Sequence, residues 1–136
     1  MKAMVIGCGG VASVAIHKCC QNSEVFSELI IASRTKSKCD ALAEKLKDSK
    51  TKIYTEQVDA DNVDELVALI NKHKPQIVMH LALPYQDLTV MEACLRTKTN
   101  YLDTANYEHP DNAHFEYKEQ WAYHEKFKEA GIMGLL

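Results

Sequence analysis

Residues 4–19 read MVIGCGGVASVAIHKC and hold Gly7, Gly9 and Ala12 in the pattern G-x-G-x-x-A. Small residues at that spacing suit backbone that must lie against a diphosphate. Gly7 would permit a tight turn out of a strand, and Gly9 would let the main chain approach the phosphates. Ala12 would let the next helix pack closely on that strand. Gly10 and Val11 carry the turn into the helix, whose free N–H groups and positive dipole end suit an anion. A plain strand-to-helix turn is the alternative. Context favours a dinucleotide loop, because an apolar run precedes it and helical spacing follows.

The residue ending the second strand, roughly 20 residues beyond such a loop, selects the dinucleotide. A carboxylate there would bind both ribose hydroxyls and repel a 2′-phosphate. The stretch ASRTKSK, residues 32–38, has no acid. Ser33 and Thr35 offer hydroxyls, and Arg34 offers a planar guanidinium that can pair with phosphate and stack on adenine. Lys36 and Lys38 add less directional positive charge. The expectation is therefore NADP(H) over NAD(H), with a solvated surface arginine as the alternative for Arg34.

Three further groups fall at the carboxyl ends of strands, where ligands of such folds bind. Asp59 and Ala60, in QVDADN, fall beside the expected adenine, and Asp59 reads equally well as a turn or helix-capping residue. Leu81, Ala82 and Pro84, in HLALPYQ, are expected near the nicotinamide ribose. Asp103, Thr104, Asn106 and Tyr107 end the fifth strand on the nicotinamide rim, where cofactor or substrate contact competes with a polar capping loop. His80, within an apolar run, reads as a buried, hydrogen-bonded histidine. His109, His114 and His124 read as surface residues. No His, Cys or carboxylate set has metal-ligand spacing, so no metal is expected.

The elements that must position these residues follow from apolar periodicity. Strands are predicted at Met4–Ile6, Leu29–Ala32, Ile53–Val58, Ile77–Leu83, Tyr101–Asp103 and Ile132–Leu136. Helices are predicted from Val11 through Cys19 with Val14, Ala15 and Cys19 apolar, and over Lys36–Leu46 with Ala41, Leu42 and Leu46 inward. Others follow over Asp61–Lys72 with Asp61 as the cap, over Leu88–Arg96, and over Phe115–Glu129 ending at Gly131. Tyr117, Trp121 and Phe127 form an apolar stripe on the last, for packing or, if exposed, for association. The alternation predicts an α/β domain with a doubly wound parallel sheet of about six strands, the Rossmann class.

The chain has 136 residues, enough for one domain with its own core. With 46% hydrophobic and 26% charged residues it reads as globular. A formal net charge of -3 argues against a general nucleic-acid or membrane-surface binder. Five cysteines without a C-x-x-C pair suit reduced thiols and a cytoplasmic setting. No leader or membrane-spanning apolar run is evident. Because the chain stops at an apolar strand with no closing helix, we expect it to be the first part of a longer enzyme.

GCGGVASVAIHKC, EVFSELIIASRTKSKCD, LALPYQD and YLDTANYEHPD, with FEYKEQWAYHEKFKEAGI, together resemble the N-terminal region of the saccharopine dehydrogenase-like oxidoreductases. Within them the likeness is greatest to the carboxynorspermidine dehydrogenases, and it covers essentially the whole chain. The resemblance implies an N-terminal NADP-binding domain, followed in the longer protein by a substrate and dimerisation domain that supports a homodimer. It also implies NADPH-dependent reductive condensation of L-aspartate 4-semialdehyde with 1,3-diaminopropane or putrescine, a step of polyamine synthesis. The alternatives are a saccharopine-type reductase acting on an amino-acid semialdehyde and glutamate, and a non-catalytic NADP(H) sensor. Since most of the substrate pocket would lie in the second domain, 136 residues imply cofactor binding with or without turnover.

Overall fold

The computed structural model describes residues 1–112 and 117–136. Six strands alternate with helices: β1 Lys2–Ile6, β2 Glu28–Ser33, β3 Lys52–Gln57, β4 Ile77–His80, β5 Asn100–Asp103 and β6 Gly134–Leu135. The helices are α1 Gly10–Gln21, α2 Lys36–Lys45, α3 Val63–His73, α4 Asp87–Thr97, α5 Lys118–Trp121 and α6 His124–Ala130, with a 3-10 turn at Pro84–Gln86. All five strand pairings are parallel and the order is β3-β2-β1-β4-β5-β6. This is the doubly wound order, and its direction reverses at β1 and β4, where a crevice opens at the strands' carboxyl ends.

Both faces of the sheet are covered. Along β1, Ala3 and Val5 face α1 and α2, packing with Ala12, Ile16, Cys39 and Leu42. Met4 and Ile6 face the other way, toward Leu66, Ile70, Val90, Met91 and Phe127 of α3, α4 and α6. The period of two in strands and 3.6 in helices makes both packings possible from one chain. Each fully buried Leu or Ile here contributes about 1.5–3 kcal/mol.

Several local expectations shift. The inward face of α1 is Ala12, Ile16 and Cys19, while Val11 and Val14 are exposed. On α2, Cys39 and Leu42 face inward, Leu46 is partly buried against the same cluster, and Ala41 is exposed. The cap of α3 is Asn62 rather than Asp61: its side-chain oxygen accepts from the N–H groups of Asp64 and Glu65. β4 ends at His80, because Pro84 fixes the 3-10 turn that follows.

The single helix expected over Phe115–Glu129 is divided among the described residues. α5 ends at Trp121, and the Tyr123 N–H donates to the Gln120 carbonyl, an i→i+3 bond that tightens the chain between α5 and α6. His114 and Phe115 lie outside the described residues. Of the apolar stripe only Phe127 is buried; Tyr117 and Trp121 are 44% and 60% exposed. Gly131, at φ +70°, ends α6.

Candidate cofactor site

The glycine turn connects β1 to α1 at the crevice. Gly7 has φ +118°, a region closed to other side chains. A Cβ there would lie 2.6 Å from the carbonyl oxygen of Leu81. So Gly7 turns the chain and also lets the ends of β1 and β4 approach each other. Gly9 is the N-cap of α1; no side chain caps that helix and its first turn holds no acid. Nothing lies within 4 Å of a Cβ built at Gly9 or Gly10, so the approach to these amides is open. Ala12 is fully buried against the sheet, where a larger side chain would push α1 away.

A cleft runs across the carboxyl ends of the strands. It is lined by Gly7 and Gly9 of the turn, by Ser33, Arg34, Thr35 and Lys38 after β2, by Ala60, and by Leu81 and Ala82 after β4. Nine of the sixteen residues expected at the cofactor thus meet in one place. Ile6, Cys8, Val58, Leu83 and Gln86 complete the lining. Gln86 is buried and donates to Asp61 at 2.9 Å. No sequence signal marked Gln86, because its place depends on how the 3-10 turn meets the end of β3.

The other seven stand apart from the lining. Gly10, Val11 and Ala12 sit behind the turn, in α1. Asp59 makes the turn that was its alternative: its Oδ1 accepts from the Asp61 N–H at 3.1 Å. Pro84 starts the 3-10 turn, and Thr104 is exposed beyond β5. Asp103 is buried, with its carboxylate turned to neighbours within the protein.

The corner beside α2 is prepared for an anion. Lys36 is committed elsewhere, donating to Asp40 at 2.7 Å and to Thr55 at 3.0 Å. Hydrogen bonds from Lys36 and then Thr55 hold the Asp40 carboxyl below its usual range. Among the described residues Arg34 and Lys38 carry no ion pair, so their charge is available to the cleft. The Ser33 hydroxyl donates to the Thr35 carbonyl at 3.1 Å and lies 3.1 Å from the Cys39 thiol. Burial, with the Cys39 thiol beside it, pushes the Cys8 thiol up to about 11, so this lining residue adds no negative charge at neutral pH. An open glycine turn at one end and unpaired cations without a free carboxylate at the other fit a diphosphate that ends in a phosphorylated ribose.

A buried polar network lies behind the cleft, and apart from His80 the sequence did not announce it. His80 closes β4, and its Nε2 is 3.2 Å from the Leu83 carbonyl oxygen and 3.0 Å from Asp87 Oδ1. Tyr101 donates its hydroxyl to Asp103 Oδ2 at 2.7 Å. Gln120 donates from Nε2 to Asp103 Oδ2 at 2.8 Å and, more weakly, to Asp87 Oδ2 at 3.5 Å; its Oε1 accepts the Tyr107 N–H at 3.1 Å. Burial pushes the Asp103 carboxyl up to about 6, with the Asp87 charge adding to the rise. Burial also raises Asp87, against the lowering effect of His80. Among the described residues Asp103 Oδ1 and His80 Nδ1 have no hydrogen-bond partner. Among the described residues no His, Cys, Asp or Glu group could hold a metal ion.

The strand order, the glycine turn at the crossover and the anion-ready corner define an NADP-binding dinucleotide domain of the Rossmann class. Residues 3–135 match the model of the saccharopine dehydrogenase NADP binding domain. The chain belongs to that family. A carboxyaminopropylagmatine dehydrogenase of Synechocystis sp. is 49% identical over 135 residues, covering 99% of this chain and 33% of the relative. A carboxynorspermidine synthase of Vibrio alginolyticus is 41% identical, covering all of this chain and 35% of the relative. The chain thus spans about a third of the length of these curated relatives. Among solved structures, apo saccharopine dehydrogenase (L-Glu forming) from Saccharomyces cerevisiae aligns over 98% of this chain and 26% of its own, with TM-score 0.75 and 20% identity. The leucoanthocyanidin reductase–NADPH complex from Vitis vinifera aligns over 97% of this chain and 45% of its own, with TM-score 0.60 and 14% identity. These two likenesses bear on the fold alone. Among the described residues no helix is long and apolar enough to cross a membrane.

Proposed function

We propose that this chain holds NADPH for a reductase that joins an amino-acid semialdehyde to a primary amine. The reaction half of this reading rests on the relatives, and the observation that carries the cofactor half is the corner beside α2. There Arg34 and Lys38 stand unpaired beside Ser33 and Thr35, and Lys36 neutralises the nearby Asp40. The main-chain amides opening α1 would take the diphosphate, and Ala60 and Val58 would border the adenine. Leu81 and Ala82 would border the nicotinamide half.

When bound, the cofactor would supply a hydride. Aldehyde and amine first lose water to form an imine, and reduction with a proton gives a secondary amine. Protonation at the imine nitrogen makes its carbon a better hydride acceptor. In this chain the apolar wall at Leu81, Ala82 and Leu83 would keep water from that carbon, while the polar segment from Thr104 to Tyr107 would face the substrates. The remaining two thirds of a protein of the relatives' length would complete the substrate pocket and carry dimerisation.

The relatives' names support a carboxyaminopropyl product. L-aspartate 4-semialdehyde would supply that group, and the amine would be 1,3-diaminopropane or putrescine. Agmatine is a second reading for the amine, favoured by the 49% identity to the agmatine-named relative. The experiment is NADPH consumption by the full-length polypeptide with the semialdehyde and each amine in turn. Turnover with at least one of the three is expected. Turnover only with glutamate as the amine would move the assignment to a saccharopine-type reductase. NADPH binding without turnover on any amine would leave a sensor.

A further inference from the structure

Gln120 is fully buried on a helix of only four residues, and its amide is used at both ends. Nε2 serves the carboxylates of Asp103 and Asp87, at the end of β5 and the start of α4. Oε1 holds the main-chain N–H of Tyr107. On the far side of Asp87, His80 contacts the Leu83 carbonyl, and Leu83 lines the cleft. One side chain therefore links the segment after β5 to the wall after β4.

We propose that Gln120 is a positioning residue for the substrate-facing end of the cleft, fixing the Thr104–Tyr107 segment against the Leu81–Gln86 wall through Asp103 and Asp87. The inference rests on the assignment of that end to the nicotinamide and its substrates. A residue acting this way needs one donor and one acceptor at fixed places. Methionine matches its length and supplies neither. Glutamate supplies both only when protonated: its O–H then donates to Asp103 and its carbonyl accepts from Tyr107. An ionised glutamate at this position would place a third carboxylate against Asp87 and Asp103, and burial would add to that repulsion.

The titratable groups around the site come from every side. His80 faces it from β4, Asp87 and Cys94 from α4, Tyr101 and Asp103 from β5, and Glu108 from the loop that follows. Lys118 and Glu119 flank Gln120 on α5. Because several of these titrate in the native chain too, each variant is compared with the native protein at the same pH.

The test uses Gln120→Met and Gln120→Glu, with hydrogen-exchange protection of the Tyr107 N–H and the dissociation constant for NADP+ measured at about pH 5 and about pH 8, on either side of the usual range of a buried carboxyl. Gln120→Met should lose Tyr107 protection at both pH values and bind NADP+ about tenfold more weakly, the change expected for one buried hydrogen bond. Its preference for NADP+ over NAD+ should not move, since Arg34 and Lys38 lie at the other end. Gln120→Glu should match the native protein in the acid arm. In the alkaline arm its carboxylate can still accept the Tyr107 N–H but no longer donates to Asp103, and NADP+ binding should weaken as in Gln120→Met. A space-filling role would give no such pH-dependent rescue. Native-like protection and binding in Gln120→Met, or a Gln120→Glu that behaves alike at both pH values, would overturn the proposal. If Gln120→Met does not fold, the two pH arms of Gln120→Glu decide alone. If the native chain binds no NADP+ at all, the cofactor assignment fails, while the exchange measurements still judge the clamp.

Discussion

Arg34→Ala isolates the charge that should recognise the 2′-phosphate. Arg34 lines the cleft and makes no ion pair among the described residues, so its removal breaks nothing within the fold. Folding stability should stay within about 0.5 kcal/mol of native, as for surface substitutions generally. A hydrogen bond to a charged group contributes about 1.5–3 kcal/mol. At about 1.4 kcal/mol per factor of ten, NADPH binding should weaken roughly 10- to 150-fold. NADH has no 2′-phosphate, and its affinity should change less than about threefold, the residue of any adenine stacking. Lys38→Ala should weaken NADPH in the same direction but less, as a flexible point charge would. Lys36→Ala should weaken NADPH less than Lys38→Ala, because Asp40 and Thr55 already hold that ammonium and its loss acts only through the Asp40 charge left behind. The assay is fluorescence titration of the purified chain with each reduced cofactor at two salt concentrations. Equal losses for NADPH and NADH in Arg34→Ala, or a larger loss in Lys36→Ala than in Lys38→Ala, would refute the reasoning.

Gly7→Ala should destabilise the chain by about 2–4 kcal/mol, combining a positive φ with a Cβ 2.6 Å from the Leu81 carbonyl; a midpoint in urea unchanged from native would contradict it. Asn62→Ala should cost about 1 kcal/mol, since it leaves the Asp64 and Glu65 N–H groups uncapped; thermal unfolding reads this, and Asp61→Ala serves as the comparison expected to cost less. Asp103 gives a pH dependence of defined sign. Its folded carboxyl is raised to about 6 from 3.8, so the folded state binds more protons than the unfolded chain between those values. Stability from this group is therefore present in acid and lost as pH rises from about 4 to about 6. Asp103→Asn removes the titration, and urea unfolding followed across and above that window, from about pH 4.5 to about pH 7.5, should show a flatter profile than native; parallel profiles would place the proton elsewhere.

The architecture was legible because its signals are local. Each strand is a short apolar run and each helix an apolar stripe, and periodicity reports both before any contact forms. The glycine turn was legible for the same reason: the spacing of Gly7, Gly9 and Ala12 encodes steric room. Element ends were less so. α3 begins later than expected because Asn62, not Asp61, reaches the free N–H groups. The break between α5 and α6 escaped periodicity altogether, since Gln120 is a good helix former in sequence and a buried polar anchor in space.

By itself, the sequence determined the α/β alternation and the small residues of the turn. It also determined the acid-free, cation-rich stretch after β2, and with it the preference for a phosphorylated ribose. These follow from residue type and near-neighbour spacing. Only the tertiary structure decided which of those cations are free, since Lys36 is taken by Asp40 and Thr55 from α2 and β3. It alone showed that Gly7 must also clear the backbone of Leu81. It alone moved Asp103 from the rim into a network with His80, Asp87, Tyr101 and Gln120. Those residues are far apart in the chain, and what they do depends on distances that exist only once the strands have paired in their order and the helices have packed on them.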